Sequence, residues 1–294
     1  MLADTSMHRF NVTIMRPEGY LEASAFQEVA EAYRFGLEEL GYRVMLTENT
    51  LVPDGVNILF GVNIYREFPE LRFPANVILA NLEQYVPGSP WFTPSLLEAY
   101  RRNVVWDYSA RNIAAFRAAG CSGPMALVPV GTMPQLCRIP PADQDVDVLF
   151  YGALSERRLR IVQALKASGV AVQCIAGIYG AARDHWIARA RIVLMLRNAD
   201  NYRTFEIVRA AYLMSNAKAI VSEWDEDTEI ESDIGSGIVL ARGSELGAAC
   251  LQLLRDTPRR LSLGDEARKI MLARRQSELL RPAIAALPST VFPG

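Results

Sequence analysis

Histidine is nearly absent from this chain: His8 and His185 are the two it has among 294 residues. With one of them close to the N-terminus, a histidine-based catalytic triad or an imidazole zinc centre has too few parts. Cysteine is sparse as well. Cys121, Cys137, Cys174 and Cys250 lie far apart and form no C-x-x-C pair, which fits reduced, mostly buried thiols rather than a disulfide framework. No apolar run approaches the ~20 residues that a membrane-spanning helix needs. The opening MLADTSMHRF lacks a basic start followed by an apolar stretch, so no secretory leader is expected and a cytoplasmic location is. Peripheral association with a membrane stays open. A net charge of −2 supplies no strong pull toward nucleic acid, and none is expected as a partner. No internal repeat of solenoid period is visible.

What the chain has is apolar material in a regular order. Half of its residues are hydrophobic, and its length suits two domains of ordinary size. FNVTIM (10–15), YRVMLTE (42–48), VNILFGV (56–62), VILANLEQ (77–84), NVVWDYS (103–109) and MALVPVG (125–131) read as strands. Helical spacing separates the first two, at Phe26, Val29, Tyr33, Leu37 and Leu40, and a second helix follows Ser109. Three prolines between Pro134 and Asp145 then break the pattern. After them the alternation restarts. VDVLFYG (146–152), VAVQCIA (170–176), RIVLMLR (191–197), AIVS (219–222) and GIVLA (237–241) read as strands. Helices are expected over 155–169, 181–190, 244–256 and 258–282.

Strands alternating with helices point to parallel sheets covered on both faces. The expected anatomy is α/β, with two Rossmann-like domains facing a central cleft. Residues 1–133 would form the first and 134–294 the second, with the apolar tail LPSTVFPG packing back on the first. Ligands of such sheets bind beyond the carboxyl ends of the strands, so residues just after strands deserve the closest reading.

The richest of these stretches is YRTFEIVRAAYLMSNAKAIVSE (202–223). Tyr202, Thr204 and Phe205 lead into a helix expected to begin at about Thr204, with Glu206 in its first turn and Arg209 a turn later. A helix N-terminus suits a phosphate, and a carboxylate beside it suits sugar hydroxyls. The structural alternative is a carboxylate that complements the helix dipole and pairs with Arg203 or Arg209. Gly152 lets backbone approach a ligand, Ser155 is placed to cap the next helix, and Arg157 or Arg158 offers forked donors to a phosphate. A capped helix with surface arginines explains the same residues. In the first half, Glu83 and Asp107 follow strands and are candidates for a general base, or for braces of their loops. Asp225-Glu226-Asp227 is formally an Asp-x-Asp metal pattern but lies in the acidic run WDEDTEIESD and reads as a solvated loop, so no metal is expected.

Taken together, DVLFYGALSERR (147–158), GIYGAARD (177–184), ARIVLML (190–196) and FEIVRAAYLMSNAKAIVSE (205–223) resemble GT-B glycosyltransferases, in particular a bacterial family-1-like group. NLEQ (81–84), VWDYSARN (105–112) and VPVG (128–131) look like the N-terminal domain of the same group. The resemblance implies metal-independent transfer of a sugar from a nucleotide-sugar donor to a hydroxyl of a glycan, lipid-linked or protein acceptor, with no further cofactor. It implies that Gly152, Ser155, Arg157, Arg158, Tyr202, Thr204, Phe205 and Arg209 bind the donor, that Glu206 contacts its sugar or ribose, and that Glu83 or Asp107 contacts the acceptor. The chain departs from the group in three places. Glu206 has no second glutamate seven residues away, Asn216-Ala-Lys218 stands where Gly-x-Pro is usual, and Met195 and Arg197 stand where an Asn/His pair is common. A non-catalytic binding subunit of the same fold is the alternative reading, and a nucleotide-sugar epimerase is a third.

Overall fold

The central strands of the first half, Val56–Phe60 and Val77–Asn81, are mostly apolar runs because they are covered on both faces, and every residue of both is buried. The computed structural model describes residues 9–65 and 70–293; His8 and the rest of the N-terminal segment lie outside the described residues. In chain order the first half comprises β1 (Arg9–Ile14), α1 (Gln27–Glu39), β2 (Arg43–Glu48), β3 (Val56–Phe60) and β4 (Val77–Asn81). α2 (Pro94–Arg102), β5 (Val104–Asp107), α3 (Ala110–Ala118) and β6 (Met125–Leu127) complete it. Its strands form one parallel sheet in the order β2-β1-β3-β4-β5-β6. Phe116, Tyr100, Leu79 and Val105 form part of the core on one side of it.

The second half runs β7 (Val146–Tyr151), α4 (Glu156–Ala167), β8 (Val172–Ile175), α5 (Gly180–Arg189) and β9 (Ala190–Met195). Then come α6 (Ile207–Ser215), β10 (Ile220–Glu223), α7 (Ser232–Ser236), β11 (Val239–Ala241), α8 (Leu246–Arg255), α9 (Thr257–Ala273) and α10 (Gln276–Ala285). Its sheet is parallel, ordered β11-β10-β9-β7-β8. Val148, Phe150, Ile192, Leu194 and Val221 fill its centre against Val162 and Leu165 of α4 and Cys250 and Leu253 of α8.

The chain divides into two compact units. One contains the residues up to Met133 together with those from Arg274 onward, and the other contains Pro134–Ala273. The expected second domain runs over 134–294 with its apolar tail on the first; the unit boundary falls at Arg274, upstream of that tail. There the single helix expected over 258–282 is interrupted. Arg275 is extended (φ −64°, ψ 126°), and Thr132 donates its N–H to Arg274 O at 2.9 Å while its own carbonyl accepts from Gln276 N–H at 3.0 Å. Gln276, fully buried, accepts from Gly131 N–H at 2.8 Å. α10 lies close on α1, where a Cβ at Gly36 would come within 2.9 Å of the Ser277 backbone nitrogen.

Two other expectations need correction. The helix expected from Thr204 begins three residues later, because Arg203 O, Thr204 and Phe205 N are held extended against Glu229. β6 is three residues long, since the Pro129 and Gly131 stretch expected to extend it leaves the ladder. Among the described residues no helix is long and apolar enough to cross a membrane.

Candidate donor site at the ends of β7, β9 and β10

In the second sheet the chain goes from β7 outward to β8, then returns to the other side of β7 for β9. The strand order therefore reverses between β7 and β9, and a ligand site is expected beyond the carboxyl ends of those two strands. Gly152 follows β7 and Arg197 follows β9 in that position.

Gly152 has φ +125°, a conformation that side chains rarely adopt, and a Cβ there would lie 2.9 Å from Arg209 Nη2. Ser155 caps α4 by accepting from Arg158 N–H at 3.4 Å, and its own hydroxyl donates to Asn198 O at 3.2 Å.

Arg158 turns inward. Its side chain is 4% exposed and donates to Leu196 O (3.0 and 2.6 Å), Arg197 O (3.3 Å), Ala153 O (3.1 Å) and Glu206 Oε1 (2.6 Å). Burial pulls its guanidinium pKa down, and the Glu206 carboxylate works against that shift. Glu206 sits at the N-cap position of α6 without capping it; its second oxygen lies 3.0 Å from Arg209 Nη1. Arg209 in turn lies over the Tyr151 ring, 5.1 Å from its centroid. The structure thus brings Gly152, Arg158, Glu206 and Arg209 into one cluster.

Arg157 faces a different carboxylate. Its guanidinium forks onto Glu223 at the end of β10 (2.9 Å to Oε2) and reaches Asp200 at 2.5 Å. Glu223 also accepts from Arg197 N–H at 3.1 Å and from Arg197 Nη2 at 3.3 Å. Burial acts to raise the Glu223 carboxyl, but the hydrogen bonds and charge of Arg157, with the charge of Arg197, outweigh it and hold the pKa below the usual range. Arg197 and Arg203 both donate to Asp225 Oδ2 at 2.6 Å. Burial acts to raise this group too; Arg197 and Thr228 overcome it and lower its pKa to about 2. Asp225 therefore belongs to an ion-pair network rather than to a freely solvated loop, which corrects the reading of that residue. Among the described residues no group of three or more His, Cys, Asp or Glu is placed to hold a metal ion.

The remaining expected donor residues frame this cluster. Phe205 is buried and donates its N–H to Glu229 O at 3.0 Å, and Thr204 Oγ1 approaches Glu229 Oε2 at 3.4 Å. Tyr202 stands in the β9–α6 loop, with its N–H on Ala199 O at 3.2 Å. A pocket is lined by Met195, Arg197, Thr204, Phe205, Glu206, Ser222, Glu223 and Thr228. Sequence reasoning did not single out Glu223 and assigned no site role to Tyr151 or Arg183.

Glu83 and Asp107 belong to the first unit. Asp107, 1% exposed, accepts from Asn81 Nδ2 (2.6 Å), Ser109 N–H (2.8 Å) and Asn112 Nδ2 (3.1 Å). Glu83 O accepts from Asn81 and Asn112 at 2.8 and 2.9 Å. In this conformation Asp107 braces the loops after β4 and β5, the structural role weighed against catalysis.

Solved structures similar to the chain cover nearly all of it. HepE from Anabaena in complex with UDP-glucose superposes with a TM-score of 0.58 at 14% identity, over 95% of this chain and 100% of that one. The chain has the GT-B fold. Sucrose-phosphate synthase from Thermosynechococcus elongatus (TM-score 0.55, 11% identity, 95% of this chain and 100% of that one) shares this fold. So does WaaG, a glycosyltransferase involved in lipopolysaccharide biosynthesis (0.55, 11%, 96% and 100%). No family model matches the GT-B chain. Among curated proteins it is similar to two uncharacterized proteins of Acanthamoeba polyphaga mimivirus. L140 is 25% identical over 183 residues, 60% of this chain and 58% of that protein; L138 is 30% identical over 81 residues, 27% and 9%. The chain thus spans less than two thirds of the length of either. These relatives are viral, so the bacterial affiliation implied by the resemblance finds no support in them.

Proposed function

We propose that this chain is a glycosyltransferase, with a nucleotide sugar as donor and a hydroxyl group as acceptor. The observation that carries the reading is the Gly152–Arg158–Glu206–Arg209 cluster at the point where the second sheet reverses its strand order. In the reaction the bond from the anomeric carbon to the diphosphate breaks and a new bond forms to the acceptor oxygen, whose proton goes to a base. The step needs positive charge where the diphosphate departs, fixed in place before the reaction. Arg209 supplies it beside the open backbone of Gly152, and Arg158 backs it through Glu206. Glu206 is 27% exposed, so its carboxylate is within reach of sugar or ribose hydroxyls. With guanidinium groups in that role, no divalent cation is required. The similarity to HepE, whose complex contains UDP-glucose, supports a nucleotide-sugar ligand of this kind.

One observation favours a non-catalytic binding module instead: both Glu206 oxygens already have arginine partners. A single assay separates the two. UDP-, GDP-, CMP- and dTDP-sugars are screened by thermal shift, and the binders are then incubated with glycan, lipid-linked and peptide acceptors in EDTA or magnesium. A bound ligand raises the melting temperature by mass action. Release of nucleotide in EDTA, dependent on acceptor and lost in Glu206→Ala, is the expected result. Binding without turnover points to the module, release that needs magnesium removes the metal-free claim, and no binding by any donor sinks the proposal.

A further inference from the structure

Among the described residues Arg209 pairs with one carboxylate, Glu206, and that partner is shared. Glu206 divides its oxygens between Arg158 and Arg209, and Arg209 Nη1 is buried at 3.0 Å from Glu206 without the alignment of a hydrogen bond. Something else must fix this long side chain above Gly152. The neighbouring contacts form a succession of cations and rings. Arg209 Cζ lies 5.1 Å from the Tyr151 centroid, and Arg183 Cζ lies 6.0 Å from the same ring and 4.9 Å from that of Tyr212. Arg138, in the segment that enters the second unit, lies 5.6 Å from Tyr212. The middle of the series is closed from water, since Tyr151, Arg183 and Tyr212 are 9%, 5% and 4% exposed. It is also anchored. Arg183 Nε and Nη2 donate to Asp184 Oδ1 (3.1 and 2.8 Å), and the Tyr212 hydroxyl donates to Asp184 Oδ2 (2.7 Å).

We propose that Tyr151, held by Arg183, is a positioning residue that fixes Arg209 for a diphosphate-bearing ligand. The idea rests on the nucleotide-sugar reading above. A second carboxylate would fix the guanidinium equally well but would cancel its charge. The face of an aromatic ring attracts a cation and leaves that charge available to an incoming anion. The ring thus prepares Arg209 without neutralising it.

The test measures binding of UDP and of inorganic pyrophosphate by calorimetry to the full chain. The variants are Tyr151→Phe, Tyr151→Leu, Tyr151→Met, Arg209→Met and Arg209→Met with Tyr151→Leu, each checked for native circular dichroism. Tyr151→Leu or Tyr151→Met, whichever folds, weakens both probes about 2- to 30-fold, the range that a desolvated cation–ring contact spans. Tyr151→Phe, which keeps the ring, binds as wild type. In the Arg209→Met background the Tyr151 change adds nothing, a non-additivity that a merely structural tyrosine would not produce. Wild-type affinity in the ringless variants, or an equal loss in the Arg209→Met background, overturns the positioning role while leaving the donor site intact. If the wild-type chain binds neither UDP nor pyrophosphate and no other nucleotide sugar, the nucleotide-sugar reading fails, and the positioning role fails with it.

Discussion

Replacing Gly152 with alanine tests the proposed donor-site geometry at its tightest point. Two costs arise from one methyl group. The backbone φ of +125° is a region that glycine occupies freely and alanine does not, a strain on the order of 1–3 kcal/mol. The new Cβ would also stand 2.9 Å from Arg209 Nη2 and 3.6 Å from its Cζ, so the guanidinium has to move. Moving the end of a flexible side chain costs little stability, because its pairing with Glu206 is partly solvated and worth about 0–1 kcal/mol. Its cost to binding is larger. The comparison variant is Gly169→Ala, at φ +88° with nothing within 4 Å of the added methyl. Both variants should lose about 1–3 kcal/mol in urea unfolding, but only Gly152→Ala should lose affinity for the donor nucleotide, by about tenfold or more (~1.4 kcal/mol). Calorimetry with the best nucleotide sugar from the thermal-shift screen measures this. Equal affinities in Gly152→Ala and Gly169→Ala would show that the Arg209–Gly152 contact does not border the ligand.

Glu206→Gln should weaken donor binding and cost about 1–3 kcal/mol of stability, because buried Arg158 keeps its carbonyl partners but loses its charged one; an unchanged urea midpoint would contradict a role for Glu206 in pairing Arg158. Acid should weaken the second unit through Glu223 and Asp225. Both carboxyls are depressed in the folded chain, so their stabilisation is full above the unfolded carboxylate range near ~4. It is lost as pH falls through the folded values, which for Asp225 is about 2. Melting temperatures between those limits should therefore fall less steeply in Asp225→Asn than in the parent, and parallel curves would rule the network out as the cause. In the first unit, Gly36→Val forces a side chain against the Ser277 backbone and should cost about 1–3 kcal/mol by overpacking, read as a lower urea midpoint. A neutral outcome there would mean that α10 can withdraw from α1 without loss.

Much of the fold is legible in the sequence because strands buried on both faces appear as short apolar runs between helical spacings. The misses have local causes. α2 has start signals in the sequence, Thr93 capping it by accepting from Leu96 N–H and Pro94 opening it, but the aromatic stretch just before it masks them. The break between α9 and α10 has no glycine or proline at Arg274–Arg275, since it is imposed by pairing with Thr132, 142 or so positions earlier in the chain. At the site, the positions after strands could be read, but the partners could not. Arg157 and Arg158 are neighbours about 100° apart on a helix, and nothing in their order says that one faces Glu223 and the other Glu206. Glu223 directly follows the apolar run 219–222, Tyr151 closes an apolar strand, and Arg183 lies in a short helix that buries it beside Asp184, Ile187 and Ala188 while its first residues are exposed.

The return of the chain at Arg274 also orders events during synthesis. Residues 134–273 are inserted between two parts of the first unit, and the crossing points are tied together where Thr132 meets Arg274 and Gln276. The inserted unit has all its strands and helices once Ala273 has emerged, so it can close its core while the first unit is still waiting. Until α10 arrives, α1 presents the surface around Gly36 uncovered. On a ribosome, where domains fold as units in the order they are completed, the unit of residues 134–273 is finished first although it begins later in the chain.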